Sequence, residues 1–306
     1  MTLEEKIKYN RASAFDFGWS PEWFGLHIEQ FDQRLIEIIE EFQFANDLDP
    51  DGMIGPSTFR RLYTYVSQDE AEHNIKIEAK ENAKIIFRGK EYPIMWSKVV
   101  LWTDENGLKC KSKKSRKRAP AYFVNHWDVC LSSKQMTKVL SVRALGVHFA
   151  IDNDSTIYQL CDMEDLAFHA GGHNSKSIGV EISNAYSIDY NDWYEKKGFG
   201  KRPVINNAYV HGKRLKAHLG FYPDQIRALA ALWAAVSCAT GIPLQVPNSP
   251  DTVDHFAASG SFKGFCGHYH LTKRKIDPAG LDFHAVQDWA SLIKVAMTKM
   301  NYGNYS

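Results

Sequence analysis

The stretch GFCGHYHLTKRKIDPAG, residues 264–280, gathers Cys266, His268, His270, Lys275 and Asp277 within seventeen positions. Two histidines and an aspartate are metal-ligand types, and a metal site draws neutral imidazoles and carboxylates from several elements. Read as an extended segment, FCGHYH turns His268 and His270 to one face, so both could be ligands and spacing alone does not separate them. Lys275 and Asp277, two residues apart, share a face on the same reading. A carboxylate ligand with an ammonium beside it suits hydrolysis: a metal activates water, and the ammonium steadies the oxyanion formed on attack.

Further histidines supply company for this stretch. The chain holds twelve, and eight fall in two windows: His126, His148, His169 and His173, then His255, His268, His270 and His284. His126 closes the apolar run AYFVNH, where a strand would deliver it to the mouth of a sheet. A lone histidine there reads as core packing, and only its companions make it a ligand.

The elements that must position these groups follow from periodicity. AYFVNHW, GVHFAIDNDSTIYQL and SIGVEISNAY read as buried strands, the second broken by a turn at Asn153–Asp154. YPDQIRALAALWAAVSCATG reads as a helix opened by Pro223 and stopped by Gly241, and FHAVQDWASLIKVAM as a closing helix. This gives an α/β domain with a mixed central sheet flanked by helices. Upstream, HIEQFDQRLIEIIEEFQFANDL reads as a helix with Leu35, Ile38, Ile39 and Phe42 on one face. A turn at Asp49–Gly52 leads to a second helix, with Pro56 near its start and Ser57 or Thr58 as its cap. Residues 67–83 are polar and read as a linker or exposed helix. IIFRGKEYPI reads as a hairpin turning at Gly89, and KVVLWTDENGL as a strand ending in a turn.

Composition narrows the function classes. The chain has 306 residues, 44% of them hydrophobic, and a net charge of +1. That balance excludes a polycation built for nucleic acid. The run KCKSKKSRKR, residues 109–118, is a solvated loop or a patch for an anionic wall polymer; with no interleaved aromatic it is poorly suited to single-stranded nucleic acid. No apolar stretch is long enough to span a membrane, and the N-terminus lacks an apolar signal core. Five cysteines at irregular spacing do not make a disulfide framework.

Four motifs taken together carry a resemblance. FVNHWD, GVHFAIDNDSTIYQL, AFHAGGHNSKSIGVEISN and GHYHLTKRKIDP, in that order, resemble the zinc-dependent N-acetylmuramoyl-L-alanine amidase type 2 family over roughly Ala119 to Phe283. The resemblance implies zinc held by His126, His268 and Asp277, with Lys275 beside the site. It implies Glu181 as the catalytic acid or base and His169 near the substrate. Some members use a tyrosine before the HF pair; here that position is Val147, and members lacking the tyrosine tend to carry the glutamate. The family gives Cys266 no role, so it reads as packing. His148 and Asp128 read as packed groups orienting others. Separately, EEFQFANDLDPDGMIGPSTFRRL resembles the peptidoglycan-binding type 1 module, a small helical bundle.

Together these imply residues 1–68 as a helical peptidoglycan-binding module, 69–95 as linker and hairpin, and 96–306 as the zinc amidase domain. The expected activity is cleavage of the amide between N-acetylmuramic acid and the L-alanine of the stem peptide. The expected partner is bacterial peptidoglycan, for a monomer without nucleic-acid or membrane-spanning roles. With no signal peptide, the expectation is a phage endolysin made in the host cytoplasm and acting on the wall after release. The alternatives are a recycling amidase for soluble muropeptides and a non-catalytic receptor or regulator. The Tyr-, Lys- and Arg-rich region 185–222 is either a wall of the substrate groove or a surface insertion.

Overall fold

The computed structural model describes residues 1–67, 80, 82–115 and 118–303. Three helices come first: α1 (Leu3–Phe17), α2 (Gln33–Ala45) and α3 (Pro56–Val66). A hairpin of β1 (Lys84–Phe87) and β2 (Lys90–Pro93) leads to β3 (Val99–Leu101) and the short β4 (Ser112–Lys113). Then come β5 (Tyr122–Trp127), α4 (Ser133–Val142), β6 (Phe149–Ile151), β7 (Ile157–Gln159), β8 (Leu166–Ala167) and β9 (Ser177–Ile182). The region after β9 holds α5 (Asn191–Lys196), β10 (Val204–Ile205), β11 (Tyr209–Val210), β12 (Lys213–Arg214) and β13 (His218–Leu219). The chain closes with α6 (Pro223–Thr240), α7 (His255–Ala258), β14 (Gly264–Gly267), α8 (His268–Leu271) and α9 (Phe283–Gly303).

Six strands form the central sheet in the order β14-β5-β9-β6-β7-β3. β14, β5, β9 and β6 run parallel, and β7 turns back antiparallel to β6. The fold is therefore the α/β arrangement expected, a mixed sheet flanked by helices. In an open parallel sheet the functional groups collect beyond the carboxyl ends of the strands. β5, β9 and β14 all end on that side, in His126-Trp127, Glu181-Ile182 and Gly267.

The central strands are buried on both faces, which explains their near-continuous apolar runs. α6 is apolar nearly all round because it lies between the sheet, the β1–β2 hairpin and α9. Its Trp233 stacks on Phe265 at 4.6 Å and donates its indole N–H to Asn125 Oδ1 at 3.1 Å. Asn125 in turn donates to the carbonyl of Cys266 at 2.8 Å, tying β5 to β14 just below the site. Pro223 and Gly241 bound α6 as expected, with Gly241 left-handed at φ 78°.

A buried glutamine of α2 ties that helix to the following turn and to α3, while Asn10 and Ser13 of α1 bond the Gly52 and Ile54 backbone of the same turn. Gln43 Nε2 donates to Asp51 Oδ1, the Met53 carbonyl and Thr58 Oγ1, and its Oε1 accepts from Gly52 N–H at 2.8 Å. This ties the FQ, DG and GPST signatures to one another. Gly52 has φ 73°, and a Cβ there would lie 2.6 Å from Ile36, so glycine is required. Two boundaries differ from the sequence reading. α2 starts after Asp32, whose carboxylate accepts from Leu35 N–H, so His27–Phe31 precede the helix. The N-cap of α3 is Gly55, and Thr58 is committed to Gln43 instead of capping.

These helices share a core with the rest of the chain. Leu35, Ile39, Ile54, Phe59 and Leu62 form one cluster with Val100, Met136, Val139, Leu140, Val147 and Tyr158. Polar links reinforce it: Thr64 Oγ1 donates to the Val129 carbonyl at 3.0 Å, and Gln135 Nε2 to Ser67 Oγ at 2.6 Å. Arg61 lies over the Tyr186 ring at 4.5 Å, and Asp47 pairs with Lys216. Phe59 is fully buried, with Phe17 at 5.0 Å and Tyr63 at 5.8 Å. Phe59→Ala is expected to cost about 3–5 kcal/mol, since the cavity lies in a shared core that cannot collapse freely. Urea unfolding checks it; a loss below about 1 kcal/mol would mean that the helices dock only loosely.

The basic run is not wholly solvated. Ser112 and Lys113 form β4 against β8, and Arg118 is buried. Its guanidinium donates to the carbonyls of Glu164 at 3.1 Å and Asn174 at 3.0 Å, and to those of Met163 and Ser177. The last cation of the run is thus a strut between loops. Arg116 and Lys117 lie outside the described residues, as does most of the linker read at 67–83.

Candidate metal centre and its cleft

Three of the expected ligands converge. β5 carries His126 to the sheet's carboxyl end, the turn after β14 presents His268, and the following loop returns Asp277. His126 Nδ1 lies 3.0 Å from Asp277 Oδ2, and His268 Nδ1 lies 3.1 Å from the same oxygen. The two imidazole rings meet edge to face at 4.5 Å. One donor atom from each residue falls within 4.8 Å of the others, and all three side chains are buried. A four-coordinate ion with ligands at about 2.0–2.1 Å separates its donors by about 3.3 Å, so this donor set fits one. Two neutral nitrogens and one carboxylate oxygen suit a divalent transition metal better than calcium or magnesium.

Electrostatics favour the ligating protonation states. Burial and the neighbouring His268 pull His126 down to about 4, which keeps its imidazole neutral. Burial alone would raise Asp277, but His268 and His126 hold its carboxylate well below the usual range. Metal binding requires these forms: neutral imidazole and ionised carboxylate.

Beyond His126 the hydrogen bonds form a consistent relay. With Nδ1 facing the metal site, Nε2–H of His126 donates to His169 Nδ1 at 3.1 Å. His169 Nε2–H then points to Ser177 Oγ at 3.3 Å, and Ser177 donates to the His173 carbonyl at 2.9 Å. Such outer partners fix the tautomer and orientation of a ligand histidine. The His169 ring also explains Gly179 in the SIGVE motif: a Cβ there would lie 2.5 Å from it. His169 thus braces His126 while lining the cleft. Ser177 was missed as a participant, although it lies inside a quoted motif.

Glu181 stands opposite His126 in the β5–β9 ladder. It is buried, and its Oε2 has no hydrogen-bond partner among the described residues. An unpartnered buried carboxylate oxygen is costly and calls for an explanation. Burial pushes Glu181 up to about 8, with Arg60 pulling the other way. Lys275 is exposed and lines the same cleft.

The remaining candidates are structural. FCGHYH is not extended throughout: β14 stops at Gly267 and His268 begins the turn of α8. Residues two apart in a helix diverge, so His270 faces away from the metal site. Its Nδ1 accepts from Gly267 N–H at 2.8 Å and its Nε2 meets the Ser249 carbonyl at 2.7 Å. His148 is buried and accepts from Gly179 N–H at 3.1 Å, with Arg118 and the Asp165 carbonyl at its other nitrogen. Asp128 accepts from the Cys130 and Asn184 N–H groups and from Ser183 Oγ, fastening the ends of β5 and β9. Cys266 is fully buried and its thiol is pushed far up by burial, so it is packing.

The cleft over the site has a volume of about 320 Å³. No residue of 185–222 lines it, although Tyr186 lies under the cleft residue Arg61. That region closes on its own cluster of Tyr190, Tyr194, Leu219, Trp193 and Phe199. Arg60 and Arg61 of α3 line the cleft instead, with Arg143 from the end of α4. Sequence reasoning missed these arginines because it placed α3 in a separate unit.

The chain is similar to the Ph2119 endolysin from Thermus scotoductus MAT2119 bacteriophage Ph2119 (14% identity, 63% of this chain and 98% of that one, TM-score 0.36). It is similar to the N-acetylmuramoyl-L-alanine amidase LysC from Clostridium intestinale URNW (16% identity, 62% and 95%, TM-score 0.35). It is also similar to AmpDh3 from Pseudomonas aeruginosa in complex with anhydromuramic pentapeptide (20% identity, 61% and 65%, TM-score 0.38). No curated protein sequence matches. The family described as N-acetylmuramoyl-L-alanine amidase matches residues 116–280, more than half of the chain and every metal-site residue above. By that match the chain belongs to the N-acetylmuramoyl-L-alanine amidase family and is an amide hydrolase of that class.

Proposed function

We propose that the protein is a zinc-dependent peptidoglycan hydrolase that cuts the amide between the lactyl group of N-acetylmuramic acid and L-alanine. The observation that carries this reading is the convergence of His126, His268 and Asp277 beside a buried, unpartnered Glu181. Zinc held by those three residues would polarise the scissile carbonyl and acidify a water to a pKa of about 7. Glu181 accepts the proton of the attacking water as oxygen bonds to the carbonyl carbon. It then delivers that proton to the alanine nitrogen as the C–N bond breaks; the lactyl carboxylic acid so formed passes its remaining proton to the released amine, leaving a carboxylate and an ammonium. Its raised pKa suits the delivery step, and the cations around it suit the acceptance step. Lys275, at the rim, neutralises the oxyanion during attack, a kind of contact worth about 3–4 kcal/mol when well placed. His169 holds His126 in register and faces the substrate.

The biological role follows as a phage endolysin, made in a host cytoplasm and released to the wall, with the N-terminal helices (1–68) as a peptidoglycan-binding unit, 69–95 as connection and 96–306 as the catalytic unit. The FQ–DG–GPST arrangement around Gln43 supports the binding unit. A second reading, a recycling amidase for soluble muropeptides, is favoured by one observation: those helices line a small cleft that suits a fragment.

Purified protein incubated with bare peptidoglycan is expected to release free L-alanine amino groups, to stop with chelator and to resume with zinc. No release with zinc present would overturn the hydrolase reading. Faster turnover of soluble muropeptide than of intact sacculi would favour recycling over lysis.

A further inference from the structure

Two arginines of the cleft, Arg60 and Arg143, differ from the buried arginines Arg118 and Arg202. Arg118 donates to four carbonyls, and Arg202 reaches Gly220, Gln225, Asn153 and Ser183 while lying against the Tyr194 and Tyr222 rings. Arg60 and Arg143 are half-buried, face the cleft, and have no side-chain hydrogen bond or ion pair among the described residues. They are also close enough to repel: burial and the charge of Arg60 pull Arg143 down to about 10. Burial opposes the charge of Arg60 as well, but Glu181, Asp277 and Asp128 hold it above its ordinary range.

The charge balance of the cleft points the same way. Four arginines and a lysine line it against three carboxylates. Two of those carboxylates, Glu181 and Asp277, belong to the reaction. The third, Asp47, is already paired with Lys216. Two unpartnered guanidiniums at the edge of a desolvated pocket make a site for an anion, and their planar forks match a carboxylate.

We propose that Arg60 and Arg143 form a carboxylate subsite, through which the N-terminal helices help select stem peptides bearing a free carboxylate next to the scissile alanine. The proposal rests on the peptidoglycan amidase reading and adds to it a residue outside the matched region 116–280, Arg60. It also gives the docking of α3 a purpose: the Thr64–Val129 and Gln135–Ser67 hydrogen bonds hold Arg60 over the site.

The test compares N-acetylmuramoyl-L-alanyl-glutamate with its carboxamide counterpart, using the full-length zinc-loaded protein. Wild type is expected to favour the carboxylate form in kcat/KM by about tenfold or more, the scale of a charge-assisted hydrogen bond. In Arg60→Ala the preference falls toward one, and Arg143→Ala, on a different element, does the same. A preference that persists while both rates fall would show a packing role and overturn the proposal. So would a wild type that treats both substrates alike. Calorimetric binding of the same two ligands separates this from the reaction itself. Arg60-dependent selective binding without hydrolysis of either would sink the amidase reading and leave the subsite standing. Binding of both with equal affinity would sink the subsite.

Discussion

His126→Ala is expected to abolish zinc binding and, with it, hydrolysis. The native protein should carry about one zinc per chain by native mass spectrometry, and the variant close to none, because two protein ligands are one short of the three that a catalytic zinc site uses. Loss of the Lewis acid removes several kcal/mol of transition-state stabilisation, so turnover should fall by about a thousandfold or more. Other groups would also be released. His169 loses the donor at its Nδ1, and Asp277 keeps only His268 against its buried carboxylate. The companion variant His270→Ala supplies the contrast. Both nitrogens of His270 are already engaged by Gly267 and Ser249, so its loss should lower stability and leave zinc content unchanged. Zinc retained in His126→Ala, or lost in His270→Ala, would overturn the ligand assignment.

Glu181→Gln is expected to keep zinc and lose the chemistry. The amide matches the carboxylate in shape, and Glu181 is not one of the three converging donors. It removes the carboxylate proposed above to take a proton from water and return it to the leaving amine. Positioned acid–base groups contribute about 10²–10⁴-fold, so kcat should fall within that range with KM little changed. Substantial activity in this variant would reassign the proton transfers. A fall in kcat accompanied by loss of zinc would mean that Glu181 acts by holding the site together.

Much of this arrangement was legible in the sequence, for identifiable reasons. β5, β9 and β14 are buried on both faces, so their apolar runs announce strands whatever surrounds them. α6 declares itself through Pro223 and Gly241. Four ordered motifs then located His126, His268, Asp277, Glu181 and Lys275, and the structure brings the first four together behind a cleft that Lys275 also lines. What escaped depends on contacts between distant segments. Whether FCGHYH stays extended is decided at Gly267, where the chain turns into α8 and swings His270 to its own partners. The end of the charged run looks solvated until Arg118 meets carbonyls about fifty residues away in sequence. The arginines of α3 look like the polar face of a detached helical pair, because nothing local says that the opposite face shares a core with α4 and the sheet. The region 185–222 has the composition of a sugar-binding wall, but Trp193, Tyr194 and Phe199 pack on one another.

The pairing of His126 with Glu181 across neighbouring parallel strands has a consequence of its own. The sheet acts as a ruler, since adjacent strands sit about 4.8 Å apart wherever the ladder forms. The spacing between the backbones that carry His126 and Glu181 is therefore inherited from the sheet lattice. It is also quantised: a one-residue slip of β9 would turn Glu181 to the opposite face, so no intermediate alignment exists. Drift elsewhere in the chain can change what enters the cleft while the working distance at its floor stays the same.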